Sequence, residues 1–194
     1  MAIARDRLEE ALSPVRARHV ADLLETIARA IDAGAEVESE PWRRGEHGEV
    51  LRAGFFGLPS RHDVALRKGG RVSHPVVDTP VAPGATALMA TAGDGFTLSI
   101  TPFRWQAAEL VVETGPRMPS WTPLRRWFLE HSQTGFGPEA PELASAVHSL
   151  GDPARRAAAV VMRVDFGSAP VSAVAALVEA LAETGAGRAA LRGG

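Results

Sequence analysis

Residues 96–101 (FTLSIT) alternate between large apolar side chains and small side chains that carry a hydroxyl group. Successive side chains of a β-strand point to opposite faces of the sheet, so this period of two separates apolar and polar groups onto different faces. A strand buried on both faces of a parallel sheet would instead read as an unbroken apolar run. The alternation therefore predicts a largely antiparallel sheet with one face packed on a core and one face in water.

Other segments extend this predicted sheet. Residues 109–113 and 160–166 repeat the alternation. Glycine-containing turns at 68–71 and 93–95 separate strand-like runs, as the tips of hairpins do. We therefore expect a meander of several strands followed by one late strand. The remaining predicted strands cover residues 36–42, 49–56, 63–68, 72–77 and 86–91.

Helices are predicted on both sides of the meander. The pair Ser13-Pro14 is typical of a helix start, and an apolar stripe with a period near 3.6 runs from there to Gly34. A second apolar stripe runs from Pro170 to Gly185 and predicts the closing C-terminal helix. The other predicted helices cover residues 124–133 and 141–150.

This order of elements predicts a single α+β domain over residues 1–194. Helices, including the long N-terminal and the closing C-terminal helix, are expected to pack on one face of the largely antiparallel sheet. Residues from about 186 to 194 are expected to form a flexible tail with few contacts.

The composition excludes several kinds of chemistry. The chain has no Cys, Tyr or Asn, and Lys68 is its only lysine. A thiol nucleophile, a thiolate metal site and a tyrosine acid are therefore excluded, and only Lys68 could form a Schiff base. The missing residue types share A/T-rich codons, which indicates a bacterium with a GC-rich genome.

Charge and hydropathy limit the partners and the location. The formal net charge is −2, and the arginine clusters lie near acidic residues, so we expect no nucleic-acid partner. No apolar run approaches the roughly 20 residues of a membrane span, and the N-terminus lacks the apolar region of a secretory signal. We therefore expect a cytoplasmic protein without a membrane partner.

Three local motifs resemble functional sites, but ordinary structure explains each of them. Ser60, His62 and Asp63 lack the orientation of a catalytic triad, because neighbouring residues of a strand face opposite ways. The loop at 46–49 (EHGE) is the nearest candidate for a metal site, but a charged loop between predicted strands is typical of solvated surface. The turn at 165–170 could expose backbone N–H groups to an anion, but helix capping explains the same residues. We therefore expect no metal and no cofactor.

Two functional hypotheses remain. We favour a non-catalytic binding module of regulatory, chaperone-like or immunity type, which contacts a protein partner or a second copy of itself. Its predicted contact residues are Trp121, Arg125, Trp127 and Phe128 on an aromatic helix, and Arg67, Lys68 and Arg71 at a hairpin tip. The alternative is a small-molecule-binding enzyme with a pocket between sheet and helices. Its predicted pocket residues are His74, His131, Arg163 and Asp165.

Overall fold

The computed structural model describes residues 5–81, 87–93, 95–115, 118–133 and 143–193. In these ranges the chain forms three helices and twelve strands. The helices are α1 (Arg5–Asp32), α2 (Thr122–Ser132) and α3 (Val171–Glu183). The strands are β1 (Glu36–Ser39), β2 (Arg52–Ala53), β3 (Leu58–Pro59), β4 (Val64–Lys68), β5 (Arg71–Ser73), β6 (Leu88–Ala92), β7 (Phe96–Ile100), β8 (Ala108–Glu113), β9 (Ser149–Leu150), β10 (Ala154–Arg156), β11 (Ala159–Asp165) and β12 (Arg188–Gly193).

The main sheet has the strand order β10-β11-β8-β12-β7-β6, and β9 pairs with β11 beside β10. All of its pairings are antiparallel except that of β12 with β7, which is parallel. A smaller antiparallel sheet has the order β1-β4-β5, and β2 pairs with β3 in a short hairpin. The protein is therefore an α+β fold dominated by antiparallel pairing, as predicted.

The apolar face of the main sheet is covered by helices. Helix α3 packs on β6 and β7 and against both α1 and α2. Phe96, Leu98 and Ile100 are at most 3% exposed, whereas Thr97 and Ser99 on the other face are partly exposed. The alternation in β7 thus corresponds to two faces with different surroundings, which confirms the prediction. None of the helices in the described ranges is both long enough and apolar enough to cross a membrane.

Helix α1 extends further towards the N-terminus than predicted. It already includes Arg5, and Pro14 lies inside it and not at its start. Leu8, Leu12 and Val15 are all buried, so the apolar stripe continues on both sides of Pro14. Burial of this stripe against the core offsets the loss of one helical hydrogen bond at the proline.

Two predicted elements differ from the structure near the C-terminus. Residues 141 and 142 of the predicted helix at 141–150 lie outside the described residues; the described remainder is irregular up to β9. The backbone there pairs with other segments, because Val147 N–H donates to His131 O (3.0 Å) and β9 pairs with β11. The predicted flexible tail is also wrong for Arg188–Gly193, since β12 lies between β7 and β8.

Several early strands are shorter than predicted. Only Arg52–Ala53 of the segment 49–56 and Arg71–Ser73 of the region around 72–77 form strands. Thr86 of the predicted strand 86–91 and Asp94 of the predicted turn 93–95 lie outside the described residues. The flanking strands β6 and β7 do pair antiparallel, as the two arms of a hairpin would.

Candidate functional sites: a buried acid-histidine cluster and an exposed aromatic surface

Four ionisable side chains from distant parts of the chain meet between the two sheets. Glu40 follows β1, Asp63 precedes β4, His148 precedes β9 and Asp165 ends β11. Glu40 and His148 are fully buried, Asp63 is 6% exposed, and the side chain of Asp165 is 24% exposed. We call these four residues the acid-histidine cluster. It links the small sheet to the main sheet and reaches solvent at Asp165.

His148 lies at the centre of the cluster. Its Nε2 is 2.6 Å from Oε1 of Glu40, and its Nδ1 is 3.1 Å from Oδ1 of Asp63. Oδ2 of Asp165 is 3.8 Å from the same Nδ1. One carboxylate therefore faces one edge of the imidazole ring, and two carboxylates face the other.

Backbone N–H groups fix the two aspartates in place. Val77 N–H donates to Oδ2 of Asp63 (2.6 Å), and Gly167 N–H donates to Oδ1 of Asp165 (2.9 Å). Each aspartate thus has one oxygen occupied by the backbone and its second oxygen directed towards His148. Charge-assisted hydrogen bonds of this kind restrict the orientation of a carboxylate.

Glu40 is held in a similar way. Ser168 N–H donates to its Oε1 (3.0 Å), and Ala144 N–H donates to its Oε2. The backbone of Glu40 has φ of +48°, in the left-handed region that a residue with a Cβ rarely adopts. Burial of Glu40 together with its five hydrogen-bonding contacts, which include those to His148 and Arg61 and the one from its N–H to Asp63 O, maintains this conformation.

Gly167 is required by the approach of the backbone to His148. Its φ is +50°, and a Cβ at this position would overlap the His148 ring and the carbonyl oxygen of Ala146. A side chain other than hydrogen would therefore displace the imidazole from the three carboxylates.

The electrostatics of the cluster favour a charged His148. Burial opposes protonation, but the charge of Asp165 and the hydrogen bonds to Asp63 and Glu40 raise the pKa of His148 to about 10. Burial raises the pKa of Asp165 to about 6, against the opposing charge of His148. Burial also acts to raise the pKa of Glu40 and of Asp63, but hydrogen bonds from His148 outweigh it and lower both. At neutral pH one imidazolium therefore faces three carboxylates.

His19 of α1 lies beside the cluster, near enough for the charges of Asp63 and His148 to act on its pKa. Burial lowers that pKa, so the ring is neutral at pH 7. Its Nδ1 is 3.1 Å from Oγ1 of Thr79, which donates to Asp22 (2.8 Å). Its Nε2 is buried and has no hydrogen-bond partner within the described part of the chain.

The predicted pocket residues do not converge. Asp165 belongs to the acid-histidine cluster, whereas Arg163 is exposed in a groove with Glu109. His74 stacks on His62 with ring centroids 3.9 Å apart. His131 contacts Trp127, and its carbonyl accepts from Val147. Asp165 alone of the four belongs to the acid-histidine cluster, and the alternative of a pocket that uses some of these residues stays a prediction.

The predicted aromatic contact residues are mostly in the core. Trp127 is 2% exposed and donates from Nε1 to Ala173 O (2.8 Å), and Phe128 is fully buried. Neither side chain can reach a partner, because packing on α3 and the sheet covers the broad apolar arc of α2. Trp121 is half-buried and Arg125 is exposed.

The predicted basic hairpin tip is exposed. Arg67, Lys68 and Arg71 lie at the turn between β4 and β5. Lys68 Nζ donates to Ala33 O (2.5 Å), which places the tip beside the end of α1. The side chains of Arg67 and Arg71 at this tip are exposed to solvent.

Phe55 is not among the predicted contact residues, although it stands in an aromatic pair with Phe56 in the sequence, and it is 73% exposed at the turn between β2 and β3. Its N–H donates to Asp152 Oδ1 (2.8 Å), and its ring packs edge-on against buried Phe56 at 5.4 Å between centroids. Arg125 Nε donates to Phe56 O (3.3 Å), so this turn adjoins α2. Arg125 also lines a groove on α2, together with Thr122, Arg126, Leu129, Glu130 and Gln133. We call Phe55 and this groove the aromatic surface.

The structure also tests the local motifs. Asp63 pairs with His148 and not with His62, so residues 60–63 form no triad. All four residues of the loop at 46–49 are exposed to solvent. In the turn at 165–170, the N–H groups of Gly167 and Ser168 bind Asp165 and Glu40 of the chain itself. The chain's own carboxylates therefore occupy the site that an anion would need.

Comparison with known protein families, with curated proteins and with solved structures gave no match.

Proposed function

We propose that this protein is a non-catalytic interaction module that binds a protein partner through the aromatic surface. The observation that carries the proposal is the 73% exposure of Phe55 on a fixed backbone. An exposed aromatic side chain has two χ angles to immobilise and a large apolar area to bury, so it is well suited to act as a binding hot spot.

The surroundings of Phe55 support a preorganised contact. Asp152 fixes its backbone, and Phe56 packs against its ring, so little conformational entropy is lost when a partner binds. This surface replaces the predicted site at Trp127 and Phe128, which are buried. Arg125 is the predicted contact residue that it retains.

Charge indicates the chemistry of the partner. Arg52 on β2 and Arg125 on α2 are both exposed on either side of the turn that carries Phe55. We therefore propose a partner protein that presents an apolar pocket for Phe55 bordered by Asp or Glu side chains. Complementary charge at the rim of such a contact mainly increases the association rate and the specificity.

A photo-crosslinking amino acid at position 55 tests this proposal in cells. Met89 on the edge strand β6 is 65% exposed and provides a matched control position at a distant site. The proposal expects one discrete heteromeric adduct from position 55 and none from position 89. A homodimeric adduct would identify a second copy of this chain as the partner and would overturn the heteromeric proposal.

Binding of the purified, crosslinked partner then decides the role of Phe55. Phe55→Ala is expected to weaken association by at least about 30-fold, the loss of a hot-spot aromatic, and to leave the melting temperature unchanged. Met89→Ala is expected to change the affinity less than about threefold. Equal affinities of Phe55→Ala and the unmodified protein would overturn the proposal.

A further inference from the structure

Three potential ligand atoms of the acid-histidine cluster lie close together. One atom each from Asp63, His148 and Asp165 lies within 4.8 Å of the others. The distances from Nδ1 of His148 to Oδ1 of Asp63 and to Oδ2 of Asp165, 3.1 Å and 3.8 Å, are close to the roughly 3.0–3.5 Å expected between ligands bonded to one zinc ion at about 2.1 Å. Small side-chain movements would complete such a site.

The surrounding contacts orient these atoms in the way that metal sites require. Oε1 of Glu40 accepts a hydrogen bond from the Nε2–H of His148. This contact keeps the proton on Nε2 and directs Nδ1 towards the two aspartates. A carboxylate behind the histidine is a common outer contact in metal sites and fixes the tautomer of the ligating ring. The N–H groups of Val77 and Gly167 each donate to the aspartate oxygen that does not face His148, namely Oδ2 of Asp63 and Oδ1 of Asp165.

Charge and access also suit a cation. Three carboxyl groups meet one imidazole in a nearly closed region, so the cluster carries an excess of negative charge. Asp165, with its side chain 24% exposed, gives an ion a route from solvent. Beside the cluster, the buried Nε2 of His19 has no hydrogen-bond partner among the described atoms, and a water molecule on a bound ion is the type of partner it lacks.

We propose that Oδ1 of Asp63, Nδ1 of His148 and Oδ2 of Asp165 bind one divalent first-row transition-metal ion, of which Zn²⁺ is the best match. One nitrogen and two carboxylate oxygens suit Zn²⁺ better than Mg²⁺ or Ca²⁺, which prefer oxygen ligands alone. The ion takes the place of the Nδ1 proton, which leaves to solvent. Three protein ligands leave at least one coordination position for water. This proposal does not depend on the aromatic surface.

Titration of the EDTA-treated protein with Zn²⁺ against a chromophoric chelator tests the site. We expect one Zn²⁺ per chain. Asp165→Asn keeps the shape of the side chain and removes one ligand charge, so the affinity should fall at least about 30-fold. The control Asp32→Asn changes an exposed carboxylate at the end of α1 and should alter the affinity less than about twofold. Failure to bind one equivalent, or equal affinities of both variants, would overturn the proposal.

NMR of the unmodified protein gives a second measurement that needs no variant. In long-range ¹H-¹⁵N spectra, Zn²⁺ should shift Nδ1 of His148 while Nε2 keeps its proton on the Glu40 side. A shift confined to another histidine, such as exposed His47, would place the ion elsewhere and would contradict the proposal.

Discussion

Raising the pH of the metal-free protein from about 7 to about 10 is expected to lower its free energy of unfolding. The pKa of His148 is about 10 in the folded protein and near 6.5 in an unfolded chain. Between these values the folded state holds a proton that the unfolded state has lost. The stabilisation is complete below about pH 6.5 and is lost as the pH rises through the folded pKa.

The magnitude follows from one proton. The free energy of unfolding should fall by about 1.4 kcal/mol per pH unit once the unfolded histidine is deprotonated, or by about 5 kcal/mol in total. A domain of ordinary stability has roughly 5–15 kcal/mol, so the effect is large enough to measure. His148 is fully buried, so solvent does not screen its interactions with the carboxylates.

This sequence isolates the effect of His148 unusually well. It has no Cys or Tyr, and Lys68 is its only lysine, so few other groups titrate between pH 7.5 and about 9.5. Burial lowers the pKa of His19, His62 and His131, and these rings are neutral in both states throughout that range.

Urea unfolding at a series of pH values measures the slope. Trp105 and Trp127 are at most 2% exposed, and their fluorescence reports loss of the core. His47→Gln removes an exposed imidazole and should leave the slope unchanged. Glu40→Gln removes a carboxylate partner that raises the pKa of His148 in the folded protein. In this variant the fall in the free energy of unfolding should therefore end at a lower pH.

A stability that stays constant between about pH 7.5 and 9.5 would refute this reasoning. It would mean that His148 is neutral in the folded protein and that the three carboxylates share protons among themselves. The ¹⁵N chemical shifts of His148 at pH 8.5 would reveal the same error directly.

Three further variants test packing. Leu98→Ala should lower the free energy of unfolding by about 2–5 kcal/mol, because Leu98 faces the core, and Thr97→Ala by less than about 0.5 kcal/mol, because Thr97 lies on the partly exposed face of β7. Equal losses in urea unfolding would contradict this assignment of the two faces of β7. Gly167→Ala should cost at least about 3 kcal/mol, because the new Cβ overlaps His148 in a backbone conformation with positive φ. An unchanged denaturation midpoint for Gly167→Ala would show that His148 is not held in place by this turn.

The sheet was predictable where the local pattern itself encodes burial. The alternation in Phe96–Ile100 and Ala159–Asp165 reflects a face buried under helices and a face in water. The sequence of Arg188–Gly193 (RAALRG) contains small and charged residues and no strand signal, and it forms β12 because two strands flank it. The strand conformation of Arg188–Gly193 therefore depends on pairing with β7 and β8 and not on its local sequence.

The acid-histidine cluster could not be predicted from local spacing. Glu40 and His148 are 108 residues apart, and His148 and Asp63 are 85 apart, so no motif joins them. The only local signal was the turn after Asp165, whose glycine permits close approach of the backbone to a buried ring. Sequence reasoning recognised that turn but assigned Asp165 to a different set of partners.

The position of β12 has a consequence for synthesis on the ribosome. β7 and β8 do not pair with each other; each pairs with β12, which comes after all the other described strands in the sequence. Until Arg188–Gly193 leaves the exit tunnel, the hairpin of β6 and β7 has no strand pairing with β8, β10 and β11 on the far side of β12. Both halves therefore expose unpaired edges until β12 has emerged, and the nascent chain depends on protection of those edges from other chains during that interval.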